Sequence, residues 1–130
     1  MAPMMFVNLP VADVARSRAF FGGLGFVFDE MFCDPSTLCM PVNRQAMVVM
    51  HRRSRFRGYA SAPVADLGAG REAVLAISAP SRGAVDRYAD AAFGSGATPL
   101  RAAEDLGFMY SRSFCDLDGH AWEFVSMDVS

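Results

Sequence analysis

The stretch Phe114–Val125, which reads FCDLDGHAWEFV, decides the fold. Two mostly apolar runs flank Asp118-Gly119, and an Asp-Gly pair between such runs predicts a tight β-hairpin turn. The second run carries one carboxylate, Glu123, among apolar neighbours. A carboxylate in a strand either faces solvent or needs a partner, because unpaired burial costs several kcal/mol. Glu123 is therefore either an exposed rim residue or part of a functional site.

Size and composition limit the class of protein. The chain has 130 residues, of which 52% are hydrophobic, enough for one compact domain with a core. No apolar run approaches the roughly 20 residues of a membrane helix, and the start does not resemble a signal peptide, so we expect a cytoplasmic protein. The net charge of −2 gives no reason to expect nucleic-acid binding. All 12 basic residues are Arg, which excludes Schiff-base chemistry at lysine.

The cysteines do not form a recognisable motif. Cys33, Cys39 and Cys115 are odd in number and contain no Cys-x-x-Cys pair. This pattern argues against a disulfide framework or a structural zinc site and favours buried thiols.

One order of elements, β-α-β-β-β, occurs twice along the chain. Asp13 and Ser81 are N-cap residue types that precede apolar residues at helical spacing, and each predicts the start of a helix. Apolar runs with turn residues between them predict strands over 4–9, 26–33, 37–42 and 46–50, and again over 73–79, 98–101, 108–114 and 121–127. We therefore expect an α+β fold: a single domain over 1–130, made of module 4–51 and module 72–128.

The intervening segment 52–71 is rich in Gly, Ala, Ser and Pro and predicts a long loop. Phe56 and Tyr59 are its expected anchors on the rest of the protein. The basic cluster 51–57 (HRRSRFR) either attracts an anionic substrate or is a solvated loop.

Both ends of the chain resemble the vicinal-oxygen-chelate superfamily, which includes glyoxalase I, extradiol dioxygenases, and bleomycin and fosfomycin resistance proteins. The opening 8–17 (NLPVADVARS), with Phe20-Phe21 and Leu24-Gly25-Phe26, is similar to the start of that family. The ending 114–123 is similar to its closing hairpin, although Leu117 replaces the usual Pro. The resemblance implies that two β-α-β-β-β modules form a cupped, incomplete mixed β-barrel with flanking helices, and that the protein is a homodimer.

Active members of the superfamily hold a divalent metal in the cup through up to four side chains. The resemblance places those positions on Asn8, Met50, Val74 and Glu123, of which only Glu123 is a strong ligand. It therefore implies that the metal site is largely degenerate. A one-residue slip in strand register would replace Met50 by His51, and His51 with Glu123 would then form a two-ligand site.

Strand alternation indicates which side chains share the cavity face. With a regular register, that face holds Asn8, Val48, Met50, Ala76, Ser111, Ser113 and Glu123. An apolar pocket with a few polar groups is typical of a small-molecule site. Glu123 could act there as a general base. Alternatively, its carboxylate pairs with an arginine such as Arg112 or accepts hydrogen bonds from neighbouring polar side chains.

The expected function is binding of a small oxygenated metabolite without a firmly assigned cofactor. The expected binding residues are Asn8, Met50, Phe56, Tyr59, Ser111, Ser113 and Glu123. The alternative is a metal-dependent lyase or dioxygenase of the glyoxalase I or extradiol type, with Glu123 as its catalytic residue.

Overall fold

The chain divides into two compact units, Met1–Ala65 (unit 1) and Asp66–Ser130 (unit 2). The computed structural model describes residues 2–128. Each unit packs helices with a β-sheet, which confirms the predicted α+β class. Among residues 2–128, none of the helices has the length and apolar character needed to cross a membrane.

The elements of unit 1 are β1 (Met5–Val11), α1 (Val14–Gly23), one 3₁₀ turn (Glu30–Phe32), β2 (Thr37–Asn43), β3 (Ala46–Arg52) and α2 (Arg53–Ala60). The three strands form one sheet in the order β1-β3-β2. Strand β3 runs parallel to β1 and antiparallel to β2. α1 begins where the sequence predicts, because the Asp13 carboxylate accepts a hydrogen bond from the Arg16 N–H at 3.1 Å.

The core of unit 1 lies between α1 and one face of this sheet. Phe20 and Phe21 are buried on the helix. The buried residues of the strands on that face are Leu38, Met40, Val48 and Met50. The pairings Leu38–Met50 and Met40–Val48 place these four side chains on one face, as a single apolar layer requires.

Two predictions for unit 1 are wrong. The segment 26–33 is not a strand; it runs extended and then forms the 3₁₀ turn. Val27, Met31 and Phe32 remain exposed, so this segment lacks the buried face that stabilises a strand. The segment 52–71 is not a continuous loop, because α2 occupies its first part. Unit 1 therefore has three strands rather than the four predicted for its module.

The elements of unit 2 are β4 (Val74–Ser78), α3 (Arg82–Gly94), β5 (Thr98–Pro99), β6 (Glu104–Asp105), β7 (Met109–Cys115) and β8 (Ala121–Met127). The five strands form one sheet, in which β4-β8-β7-β5 are successive neighbours and β6 also pairs with β7. The Ser81 hydroxyl caps α3 as predicted, accepting a hydrogen bond from the Ala84 N–H at 3.1 Å. β4 runs parallel to β8, and β7 runs antiparallel to it.

The bulky face of β8 packs beneath α3, as strand alternation predicts. Trp122 and Phe124 are 1% exposed, and Phe114 of β7 is fully buried beside them. The Tyr88 ring of α3 stacks on Phe124 with 4.3 Å between ring centroids. The opposite face of β8 therefore carries Glu123.

A buried carboxylate holds the hairpin between β7 and β8. Asp116 is 6% exposed and accepts hydrogen bonds from the Asp118 and His120 N–H groups at 2.9 and 3.0 Å. Its second oxygen accepts the Trp122 Nε1–H at 2.8 Å. Burial raises the pKa of Asp116, and the hydrogen bonds to its carboxylate oppose that rise. The predicted turn at Asp118-Gly119 is thus tied to the core of unit 2.

Candidate functional site

The polar face of unit 1 brings Asn8 and His51 together. Asn8 pairs with Val49 in the parallel ladder, so Asn8, Val49 and His51 share one face of the sheet. The His51 Nε2 atom lies 2.8 Å from the Asn8 Oδ1 atom. His51 is 3% exposed. The strand therefore has the register shifted by one residue: His51, and not Met50, lies on the face that carries Asn8.

The expected position of Met50 beside Asn8 is wrong. Met50 pairs with Leu9 in the ladder and is fully buried on the core face, with Val48 two residues before it. Side chains alternate along a strand, so an error of one residue moves the whole set to the other face. Both faces of β3 carry apolar residues, so the sequence does not indicate which face packs against the core.

Both ring nitrogens of His51 have partners. The Arg55 Nε–H donates a hydrogen bond to Nδ1 at 3.2 Å, so Nδ1 carries no proton and Nε2–H donates to Asn8 Oδ1. Burial lowers the pKa of His51, the Arg55 charge lowers it further, and the Asp34 carboxylate opposes that shift. The imidazole is therefore held neutral in one tautomer.

The two predicted anchors, Phe56 and Tyr59, lie on α2 beside this imidazole. The Tyr59 ring stacks on His51 with 5.5 Å between centroids and 24° between planes, and the Phe56 centroid lies 6.4 Å away. Tyr59 remains 67% exposed. Of the basic cluster, Arg55 binds His51, whereas Arg52, Arg53 and Arg57 are exposed to solvent.

The polar face of unit 2 carries Ser111, Ser113 and Glu123. Ser113 pairs directly with Glu123, and Ser111 pairs with Val125, two residues farther along β8. These pairings confirm the predicted shared face for the three side chains. The Glu123 Oε1 atom lies 2.9 Å from Arg101 Nη2, and the two side chains are 17% and 42% exposed.

Arg101, rather than Arg112, is the partner of Glu123. Arg112 pairs with Phe124 in the ladder, so its side chain lies on the α3 face. There it contacts the Asp86 and Asp90 carboxylates at 3.2 and 2.8 Å. Strand alternation already excluded Arg112, because residues 112 and 113 point to opposite faces.

Ser113 fixes the backbone of Arg101. Its hydroxyl oxygen accepts the Arg101 N–H at 3.3 Å, and its O–H donates to the Arg101 carbonyl at 3.4 Å. The segment from β5 to β6 is thereby attached at residue 101, with the guanidinium beside Glu123. Arg101 was not among the expected site residues, since nothing in the sequence links it to a strand 22 positions later.

Ser111 differs from Ser113 in having no hydrogen-bond partner among residues 2–128. It is 1% exposed, and its Oγ atom is fully buried. A buried hydroxyl without a partner costs about 1–3 kcal/mol. In unit 1, Thr37 Oγ1 is buried and unpartnered in the same way, and Thr37 pairs with His51 in the ladder. Each polar face thus includes one hydroxyl that lacks a hydrogen bond within the described chain.

The donor set does not fit a bound metal. Across residues 2–128, no group of three or more His, Cys, Asp or Glu side chains is placed to hold an ion. Asn8 Oδ1 accepts a hydrogen bond from His51, and both His51 nitrogens are engaged. Arg101 occupies one oxygen of Glu123. A metal at either polar face would have to displace these partners.

A cavity of about 280 Å³ in unit 2 lies at the start of α3, on the other side of the sheet from Glu123. Arg82, Tyr110 and Ser126 are among the residues that line it. The Arg82 guanidinium already binds both oxygens of Asp105 at 2.7 Å and the Gly107 carbonyl at 3.1 Å. Its positive charge is therefore paired within the protein.

Comparison with known proteins identifies the fold. Residues 4–43 match the family model described as bleomycin resistance protein-like N-terminal. A glyoxalase/bleomycin resistance protein/dioxygenase family enzyme from Burkholderia phytofirmans PsJN aligns at 17% identity with a TM-score of 0.80, over 97% of this chain and 99% of that one. The chain has the vicinal-oxygen-chelate fold. The fold expected from the sequence is thereby confirmed.

Two further structures share the vicinal-oxygen-chelate fold with this chain. A glyoxalase-related enzyme from Fulvimarina pelagi has a TM-score of 0.82 at 20% identity, over 99% of this chain and 91% of that one. A hypothetical protein from S. aureus has a TM-score of 0.81 at 21% identity, over 97% and 94%. No curated protein matches the sequence significantly. At these identities the shared fold carries no assignment of activity.

Proposed function

We propose that the protein binds a small oxygenated metabolite without a metal, at the polar face of unit 2. The observation that supports this most directly is the Arg101–Glu123 pair, in which the Arg101 side chain is 42% exposed, so a ligand oxygen can reach the guanidinium. The Ser113 hydroxyl lies on the same face, because Ser113 pairs directly with Glu123. A small molecule with two or more oxygens suits a face that has both a cation and hydroxyl groups.

Arg101 has donors to spare for such a ligand. A guanidinium carries five N–H groups in a fixed fork that matches a carboxylate. Within residues 2–128, the Arg101 side chain pairs with Glu123 alone, and it is 42% exposed. Glu123 holds the guanidinium in place, while the remaining donors are available for a carboxylate or carbonyl oxygen. In this proposal Glu123 orients Arg101 and also accepts a hydrogen bond from a ligand hydroxyl.

Calorimetric titration with lactate, pyruvate and catechol, at constant ionic strength, tests the proposal. We expect lactate or pyruvate to bind, and Arg101→Met to weaken that binding at least roughly tenfold because a charge-assisted contact is lost. Arg87→Met is the matched control, since Arg87 is an exposed arginine on α3. Equal affinity of both variants for the bound acid would contradict the proposal, and so would the failure of all three compounds to bind.

Metal analysis separates this proposal from the metal-dependent lyase or dioxygenase. The purified protein is assayed for zinc, nickel, iron and manganese before and after treatment with EDTA. We expect less than about 0.1 equivalent of each metal and unchanged binding of the acid after treatment. One equivalent of a metal that EDTA removes, together with loss of binding, would replace the proposal by the metal-dependent alternative.

A further inference from the structure

Two of the three cysteines meet in unit 1, at the start of β2. The Cys39 N–H lies 3.3 Å from the Cys33 Sγ atom, which is also 3.2 Å from the Asp29 carbonyl oxygen. The Cys39 S–H donates to the Phe32 carbonyl at 3.3 Å. Each sulfur therefore rests against the backbone of the segment that carries the other cysteine. All three cysteines are free thiols in this structure.

A tight turn holds the two cysteines at this separation. Asp34 and Thr37 exchange both backbone hydrogen bonds, at 3.0 and 3.2 Å. The Asp29 N–H also donates to the Cys39 carbonyl at 3.0 Å, which ties the preceding segment to β2. The Cys33 sulfur lies against the backbone nitrogen of Cys39, which is two bonds from the Cys39 Cβ atom. The two cysteine side chains are therefore direct neighbours, as a disulfide requires.

The two thiols differ in access to solvent. Cys33 is half-buried beside the exposed Met31 and Phe32, whereas Cys39 is 5% exposed. Burial raises the pKa of Cys39. An oxidant therefore reaches Cys33 first, and Cys39 is the second thiol within reach of the product.

We propose that Cys33 and Cys39 are a reversible oxidation site for hydroperoxides. The Cys33 sulfur attacks the peroxide oxygen, the O–O bond breaks, and the peroxide leaves as an alcohol or as water. Cys33 becomes a sulfenic acid. The Cys39 sulfur then attacks the Cys33 sulfur, releasing water and forming the disulfide. The peroxide is reduced by two electrons, the two thiols are oxidised, and a small-molecule thiol reverses the reaction. This proposal does not depend on the ligand site of unit 2.

Peroxide treatment followed by peptide mapping tests the site. Trypsin cleaves after Arg18, Arg44 and Arg112, so Cys33 and Cys39 share the peptide 19–44 and Cys115 lies in the peptide 113–130. We expect hydrogen peroxide to reduce the mass of peptide 19–44 by about 2 Da, and dithiothreitol to restore it. We expect one of the three thiols to remain titratable after peroxide treatment. We expect loss of the Cys33 and Cys39 thiols to be at least roughly tenfold faster than loss of the Cys115 thiol.

Single substitutions distinguish the roles of the cysteines. In Cys39→Ser, Cys33 should stop at the sulfenic acid and be trapped by dimedone on peptide 19–44. In Cys33→Ser, neither product should form. Cys115→Ser is the matched control, since Cys115 is also buried but contacts Arg71 at 3.4 Å, and it should still form the disulfide. A disulfide to Cys115, a disulfide between two chains, or an unchanged peptide 19–44 at peroxide levels that oxidise glutathione would overturn the proposal.

Discussion

Units 1 and 2 handle a polar group on a sheet face in two different ways. In unit 1, His51 is kept neutral, and Asn8 and Arg55 occupy both ring nitrogens. In unit 2, Glu123 faces the opposite charge of Arg101, whose other donors have no partner within residues 2–128. The cluster of unit 1 is therefore satisfied internally, whereas that of unit 2 has capacity for a ligand. The polar faces of the two sheets therefore have different chemical roles, although both units have an α+β architecture.

The largest expected effect on stability comes from the carboxylate in the turn between β7 and β8 of unit 2. Asp116→Ala leaves three N–H donors of unit 2 without their acceptor, among them the Trp122 indole. We expect the free energy of unfolding to fall by about 2–4 kcal/mol, because buried donors lose their partners. Urea denaturation followed by tryptophan fluorescence measures the change.

The matching turn carboxylate of unit 1 supplies the control for Asp116. The Asp34 carboxylate accepts a hydrogen bond from the Ser36 N–H at 2.7 Å, and this bond is exposed. Asp34→Ala should cost less than about 1 kcal/mol, since water replaces the lost partner. Equal costs for the two variants would show that Asp116 is not the main support of its hairpin.

The next largest effect on stability is expected at the glycines that follow the two long helices, α1 and α3. Gly25 and Gly96 follow α1 and α3 with φ values of +102° and +104°, so alanine is strained at both positions. A Cβ at Gly96 would lie 3.1 Å from Leu117 Cδ2, whereas a Cβ at Gly25 meets no atom within 4 Å. We expect Gly25→Ala to cost about 1 kcal/mol and Gly96→Ala about 1–2 kcal/mol in urea denaturation. If the extra cost at Gly96 persists in a Leu117→Ala background, contact with Leu117 is not its cause.

A smaller effect is expected from the ion pair of unit 2. A double-mutant cycle with Arg101→Met and Glu123→Gln should give a coupling energy of about 0.5–1 kcal/mol, because the pair is partly exposed. High salt should weaken that coupling. The Arg18–Glu30 pair of unit 1 is more exposed on its acidic side and should couple less. A larger coupling for Arg18–Glu30 would reverse the ranking of the two pairs.

The pH dependence of unit 1 is expected to be the smallest effect. Burial and the Arg55 charge lower the pKa of His51 below its ordinary value of 6.5, so the unfolded chain takes up a proton first as the pH falls. The stability from neutral His51 is complete above about pH 6.5 and is lost as the pH falls towards the folded pKa. Urea denaturation between pH 8 and pH 5 measures this slope.

The other histidine supplies the control for that slope. His51→Gln should remove part of the slope, and His120→Gln should keep it, since only His51 lies in the cluster of unit 1. An NMR titration of the two imidazoles provides a second readout. A His51 signal that titrates above pH 6.5 would contradict the neutral assignment.

The sequence predicted the elements whose signals are local. Asp13 and Ser81 marked the starts of both long helices, and Asp118-Gly119 marked the last hairpin, because capping and turn residues act within a few positions. The shared face of Ser111, Ser113 and Glu123 followed from alternation alone, since β8 has one bulky and one mixed face.

The failures have a common cause in contacts between distant positions. Segment 26–33 has residues that favour strands, yet it finds no sheet partner beyond a single hydrogen bond to Cys39. The arginine-rich α2 has little apolar periodicity, so its pattern did not predict a helix. The register of β3 and the choice of Arg101 as the partner of Glu123 both depend on tertiary pairing.

Helix α2 contributes to the chemistry of unit 1 without any side chain inside the core. None of its residues is buried, and it ends at Ser61, which has a left-handed φ of 57°. An element held so weakly opens by itself more readily than the rest of its unit. Its amide protons should therefore exchange with deuterium well before those of β3. Each such opening removes Arg55 and Tyr59 from the imidazole. The pKa of His51 therefore depends on how often α2 opens.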